Sequence, residues 1–164
     1  MRPSRVIHYM DMAHLLARRS TCVRLNVGCV VVDQLRKDAI ATGYNGPASG
    51  KPHCGGDLCP GIKDGCKQSI HAEINALDKV PLTARPLLDV YVTHSPCADC
   101  CIRMLEFSEK GKRFVNRLFF CHEYRNTQHL KVFDKHVTLY RVTPSGFITR
   151  WLDNKILDPL QFYD

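Results

Sequence analysis

Two short stretches carry residues that can do chemistry together, His71-Ala72-Glu73 and Pro96-Cys97-Ala98-Asp99-Cys100. One imidazole and two thiols give three ligands for zinc, and a catalytic zinc, unlike a structural one, keeps its fourth tetrahedral position open. Water in that position has its pKa lowered from about 15.7 to roughly 7, so hydroxide becomes available near neutrality. Glu73 follows His71 by two positions, near enough in the same helical turn to face such a water without binding the metal, and is the candidate proton shuttle. The plainer alternative is a histidine satisfied in the core and a Cys-x-x-Cys pair serving redox chemistry or half of a structural zinc site. Either motif alone leaves that alternative open. Both together, in this order, each ahead of a helix and the second led by a strand and a proline, favour the open zinc site.

The motifs need elements to hold them. His71 opens a helical pattern that continues through Ile74, Leu77 and Asp78 and ends at Pro81, and Cys97 opens another through Ile102, Leu105 and Glu109 to Gly111. Ligands in first turns sit among unpaired backbone N–H groups at the positive dipole end, which favours thiolates. Upstream, Ser4 can cap a helix running to about Ser20, with Ile7, Met10, Ala13 or His14, and Ala17 on one face. Residues 29–33 read as a buried strand and 39–44 as its hairpin partner. From Asp89 onward strand and helix alternate, with strands at 90–93, 118–121 and 137–142 and a helix near 127–134 after the Cys97 helix. The expectation is an α/β fold in one domain over 1–164, with a five-stranded mixed sheet and both motif helices on one face. The tail, 143–164, holds the only tryptophan, Trp151, and is expected to pack on the body or on a neighbouring subunit.

Other residues fall near the site by position. Arg24 and Asn26 stand at the mouth of the first strand, where Arg24 can contact a phosphate. Gly43-Tyr44-Asn45-Gly46-Pro47 is a turn that needs positive φ or close backbone approach, and Asn45 in it can bond a sugar hydroxyl. The stretch 50–68 is rich in Gly, Pro and Cys, too polar to hold itself by a core. Cys54, Cys59 and Cys66 within it, with Cys22 upstream, suggest a second, structural zinc with a closed shell, for which His53 is a rival ligand. Cys29, Cys101 and Cys121 read as small apolar packing residues.

Composition sets the outer limits. No apolar run approaches the roughly 18 residues of a membrane helix, and residues 1–9 carry no signal-peptide core, so a cytoplasmic protein is expected, in a host cytoplasm if phage-encoded. An odd count of nine cysteines then argues for metal ligands over disulfides. The net charge of +7 is spread along the chain with no basic run beyond pairs such as Arg18-Arg19. It suits a phosphorylated small substrate or a solvated surface, and nucleic acid is not the expected partner.

The paired motifs are the signature of zinc nucleobase deaminases. Over most of its length, from the first helix to Val142, the chain resembles dCMP deaminases of bacteria and phages, the group that includes the ComE operon late-competence deaminase. The resemblance rests on Cys22-Val-Arg-Leu-Asn-Val-Gly, Gly43-Tyr-Asn-Gly, His53-Cys54, Cys59, Cys66, Ile70-His-Ala-Glu-Ile-Asn-Ala and Tyr91-Val-Thr-His-Ser-Pro-Cys-Ala-Asp-Cys100, in the family's order.

It implies a cytidine deaminase-like three-layer α/β/α sandwich and hydrolytic deamination of dCMP to dUMP, which supplies dUMP for thymidylate synthesis. His71, Cys97 and Cys100 then bind zinc and Glu73 moves the proton, while Cys22, Cys54, Cys59 and Cys66 hold the second zinc. The backbone of Ala72 and Ser95 holds the pyrimidine's carbonyl and amino groups and Asn45 faces the sugar. Tyr124 matches an aromatic near the substrate, and Arg24, Asn26 and Asn75 stand near the nucleotide. The resemblance also implies a homohexamer activated by dCTP with Mg2+ and inhibited by dTTP, with Gly43, Tyr44 and Gly46 in the effector-linked turn. Two rivals stay open at the level of sequence. One is an adenosine-in-tRNA or nucleoside deaminase of the same superfamily, and the other is a zinc-stabilised nucleic-acid-binding module, which leaves Glu73 unexplained.

Overall fold

The computed structural model describes residues 2–55, 59, 66, 68–111 and 113–162, without the side chains of 109–111 and 160. Much of the 50–68 insertion therefore lies outside the described residues. Helix α1 (Arg5–Ala17) starts at Ser4, whose Oγ accepts from the Ile7 N–H. It ends three residues before the expected Ser20, because the N–H groups of Arg18, Arg19 and Ser20 reach back only three residues and tighten the last turn. Its buried face is Val6, Tyr9, Met10, Ala13 and Ala17, with Ile7 at the margin. Tyr9 counts as apolar here because its hydroxyl is satisfied by the Lys37 carbonyl.

Strands β1 (Gly28–Asp33) and β2 (Asp38–Tyr44) form the expected antiparallel hairpin. A short pair, β3 (Gly46–Pro47) with β4 (Ser69–Ile70), closes the neck of the insertion and brings Asn45 close to His71. Helix α2 (Ala72–Leu77) follows, then β5 (Leu87–His94), α3 (Ala98–Gly111), β6 (Phe114–His122), α4 (Gln128–Phe133) and β7 (Thr138–Val142). The tail adds β8 (Ile148–Arg150), β9 (Ile156–Leu157) and a 3-10 turn at Pro159–Phe162.

The main sheet has seven strands in the order β2-β1-β5-β6-β7-β8-β9, where five were expected. The two extra strands come from the tail, and at three and two residues they are too short to show an alternating pattern. Strands β5, β6 and β7 run parallel, and every other pairing in this sheet is antiparallel.

The central strands feed two cores. Val90, Val92, Leu118 and Phe120 face Ala72, Ala76, Cys100, Met104, Leu130 and Phe133, so both motif helices and α4 share one side. Tyr91 and Phe119 face Val6, Tyr9 and Ala13 of α1 on the other. The result is the three-layer α/β/α arrangement.

Two glycines set how closely the layers approach. A Cβ at Gly28 would lie 2.0 Å from the Ala13 carbonyl oxygen, and one at Gly43 would lie 2.3 Å from the Ala72 oxygen. Helix α1 thus lies directly on β1, and α2 directly on β2, only because those positions have no side chain.

Candidate metal centre and substrate cavity

His71 is the N-cap of α2, with extended backbone at φ −71° and ψ 151°, and is not inside the helix. Cys97 likewise sits one residue ahead of α3, while Cys100 is in its first turn and is buried. The parallel strand β5 carries the chain to Cys97 and β4 carries it to His71, so the two motifs meet at strand ends. The Nδ1 of His71 lies 3.2 Å from Cys100 Sγ and 3.4 Å from Cys97 Sγ, and the three ligand atoms fall within 4.8 Å of one another. A tetrahedral zinc with bonds of about 2.1–2.3 Å spaces its ligand atoms about 3.6 Å apart, so this donor set fits zinc in number, type and spacing.

The thiols do not titrate alike. The Cys97 thiol is pushed down to about 3, first by the Cys100 S–H donated to it and then by His71, with the Cys100 N–H also pointing at its sulfur. As the donor in that contact, and buried, Cys100 is pushed up. The expectation that the helix ends lower both thiols fails at Cys100, and at Cys97 the helix-start N–H contributes less than the Cys100 S–H and His71. The contact with Cys97 raises His71 to about 9. Glu73 is 4% exposed, and burial pushes its carboxyl above the ordinary range. Beneath it Cys29 is fully buried, and burial followed by the charge of Glu73 holds it protonated.

An open cavity of about 530 Å³ lies over this site, with Cys100 and Cys29 behind its wall. His71, Glu73 and Cys97 line it together with Ala72, Ser95, Asn45, Tyr124 and Arg24, so most residues singled out from sequence converge. Asn45 is buried and holds its neighbours: its Oδ1 accepts from the Val27 N–H at 2.8 Å and its Nδ2 donates to the Leu25 carbonyl at 2.7 Å. It shapes the wall as well as lining it.

Two expected substrate residues are not on the wall. Asn75 donates to the Tyr44 carbonyl at 2.8 Å, because one turn along α2 its side chain faces β2. Asn26 is exposed between the lining residues Leu25 and Val27. Gly43, Tyr44 and Gly46 also lie off the wall, and none of them has positive φ. Of the two readings of that turn, close approach is the one found: Gly43 faces α2, and a Cβ at Gly46 would lie 3.0 Å from Thr21 Oγ1.

Sequence reasoning missed His94, Glu123 and Arg125, which also line the cavity. His94 and His122 are register partners at the carboxyl ends of β5 and β6. Ligands bind at such ends in open α/β sheets, and that was the signal available. The second cysteine group borders the same cavity through Cys22 and Cys66. Burial raises the Cys54 thiol, and so do Cys59, Cys66 and Cys22 around it, with the Cys54 S–H donated to Cys59. His53 is exposed.

Residues 3–115 match the family described as cytidine and deoxycytidylate deaminase zinc-binding region. The chain is 43% identical over 101 residues to ComE operon protein 2 of Bacillus subtilis (strain 168), covering 60% of this chain and 52% of that protein. It is 36% identical over 117 residues to the deoxycytidylate deaminase of Saccharomyces cerevisiae, covering 65% of this chain and 36% of that protein. The chain thus spans about half of the first and a third of the second. Its fold is similar to the crystal structure of dCMP deaminase from the cyanophage S-TIM5 in complex with dCMP and dUMP. There the TM-score is 0.69 at 29% identity, covering 87% of this chain and 99% of that one.

Proposed function

The chain belongs to the cytidine and deoxycytidylate deaminase zinc-binding family, and from that premise we propose that it hydrolyses dCMP to dUMP and ammonia. The observation that carries this reading is a buried carboxyl, Glu73, beside a three-ligand set in a cavity whose wall also carries Arg24 and Arg125. The likeness to a phage dCMP deaminase whose structure holds dCMP and dUMP supports the substrate.

His71, Cys97 and Cys100 would hold the zinc, which when bound acts as a Lewis acid and lowers the pKa of water in its open position. Glu73 takes a proton from the attacking water and delivers it to ring N3. As the new C–O bond at C4 replaces the C–N bond, it passes a second proton to the departing amine. Burial, by raising this carboxyl above the ordinary range, makes it a better acceptor for the water's proton than an exposed carboxylate.

The Ala72 N–H, in the first turn of α2, is free of intrahelical partners and can donate to the pyrimidine carbonyl. Ser95 spends its own N–H on the His122 carbonyl at 2.8 Å, so its contribution to the substrate amino group is its carbonyl, an acceptor. Asn45, Tyr124, Arg24 and Arg125 all line the cavity; in this reading Asn45 and Tyr124 would flank the sugar and base, and Arg24 and Arg125 would pair with the 5′-phosphate.

We assign a second, structural zinc to Cys22, Cys54, Cys59 and Cys66, supported by the effect of the other three on the Cys54 thiol, which each of them raises. The homohexamer, its control by dCTP with Mg2+ and by dTTP through the Gly43–Gly46 turn, and a cytoplasmic location complete the reading. Among the described residues, no helix is long and apolar enough to cross a membrane.

The test is turnover of dCMP by zinc-loaded protein, with and without dCTP and Mg2+, beside Glu73→Gln and with metal analysis. Expected are about two zincs per chain and turnover that falls at least about 100-fold in the variant, which keeps the shape but cannot carry the proton. Faster turnover with dCTP supports the effector reading. A fully metallated protein that leaves dCMP untouched but deaminates a tRNA or a nucleoside overturns the substrate assignment.

A further inference from the structure

Glu123, Tyr124 and Arg125 reach the cavity from an exposed loop between β6 and α4. Residues that must meet a substrate cannot do so from a loop that drifts, so what holds this one matters. On its inner side the Tyr124 N–H donates to Ser95 Oγ at 2.8 Å, and at its far end His129 Nε2 meets the Pro96 carbonyl at 2.8 Å. Its outer side is held from the tail: the indole Nε1–H of Trp151 donates to Glu123 Oε1 at 3.0 Å.

A hydrogen bond at an exposed carboxylate competes with water and by itself holds little. Here the donor is fixed from behind. Trp151 follows β8, its backbone N–H donates to the Leu139 carbonyl at 3.0 Å, and its half-buried ring packs against the core beneath α2 and α3. The residue before it, Arg150, forks onto Asp134 at 2.6 and 2.7 Å. The indole N–H therefore keeps its direction whether or not the loop does, and its acceptor is charged.

We propose that Trp151 is a positioning residue of the substrate cavity, whose indole N–H holds Glu123 and thereby sets where Tyr124 and Arg125 stand against the substrate. The tail hairpin, beyond the residues that match the family, becomes part of the recognition apparatus. The substrate named below rests on the dCMP reading. The tether does not.

Trp151→Phe keeps an aromatic ring but removes the donor together with the pyrrole half of the indole, so the Glu123 variants below isolate the hydrogen bond itself. In the zinc-loaded full chain, amide hydrogen exchange over residues 123–127 should quicken while β1 and β5 stay as protected as before. KM for dCMP should rise about 2- to 10-fold, the range of one net hydrogen bond, with kcat changed less than KM. Because Trp151 is the only tryptophan, titrating wild-type protein with dUMP should shift its fluorescence saturably. Glu123→Gln, which keeps an acceptor oxygen, should preserve slow exchange in the loop, and Glu123→Leu should not.

Unchanged exchange and unchanged KM in Trp151→Phe overturn the proposal, as does equal loosening by the two Glu123 variants. Should Trp151→Phe fail to fold, the Glu123 pair decides alone. If wild-type protein leaves dCMP untouched, the substrate reading falls while the exchange comparison still judges the tether.

Discussion

At the ligand set, the metal-free site is a thiolate at Cys97, a thiol at Cys100 and an imidazolium at His71. Zinc needs two thiolates and a neutral imidazole. Binding near pH 7 should therefore release about two protons, one from Cys100 and one from His71. Apparent zinc affinity should climb with pH, less steeply once His71 has given up its proton at about 9, because Cys100 is still a thiol there. Calorimetric titration of metal-free protein in buffers of different ionisation enthalpy measures the release directly, and a value near zero would contradict this protonation pattern. Residue types were legible here because ligand chemistry is local: His71, Glu73, Cys97 and Cys100 announce themselves by kind and spacing. Which sulfur donates to which was not legible, since that depends on the three-dimensional meeting of two helix starts.

At the scale of elements, the position of Glu73 is set by how closely α2 lies on β2, and Gly43 sets that closeness. A Cβ there would stand 2.3 Å from the Ala72 oxygen and 2.6 Å from the Ala76 nitrogen, both backbone atoms that move only if the helix moves. Gly43→Ala should cost about 1–3 kcal/mol of stability, as overpacking does, and should lower kcat as well by displacing Glu73. Gly28→Ala is the control. It forces α1 from β1, with 2.0 Å to the Ala13 oxygen, and should lower the melting temperature with a smaller effect on turnover. Equal loss of kcat in the two variants would argue against α2 as the element that aims the carboxyl.

Across the whole molecule, three histidines from distant segments gather at the carboxyl ends of the sheet. The His94 and His122 rings are 5.0 Å apart and those of His14 and His122 6.1 Å apart. Burial first, then mutual repulsion, lowers the pKa of His94 and of His14, with Asp11 opposing at His14. The unfolded chain therefore binds protons more readily than the folded one below about pH 6.5, the ordinary histidine value. Stability from this cluster is complete above that pH and is lost as pH falls through the window between the unfolded and folded values. Melting temperatures measured from pH 7 to pH 5 should fall, and His14→Asn should flatten the slope. An unchanged slope would show that other groups dominate.

The sequence by itself determined the chemistry and the alternation of elements. Ligand types, the carboxyl two residues on, the hairpin and the strand–helix succession are written in short-range spacing, and short-range spacing is what periodicity and capping can encode. Tertiary structure decided the rest. Strands β8 and β9 exist only because β7 offers them an edge. Asn75 faces Tyr44 and not the cavity because of the angle at which α2 lies on β2. His94 joins the wall because parallel pairing aligns it with His122, and Trp151 meets Glu123 across 28 residues. Such pairings depend on strand register and helix packing over the whole chain, which no local pattern specifies.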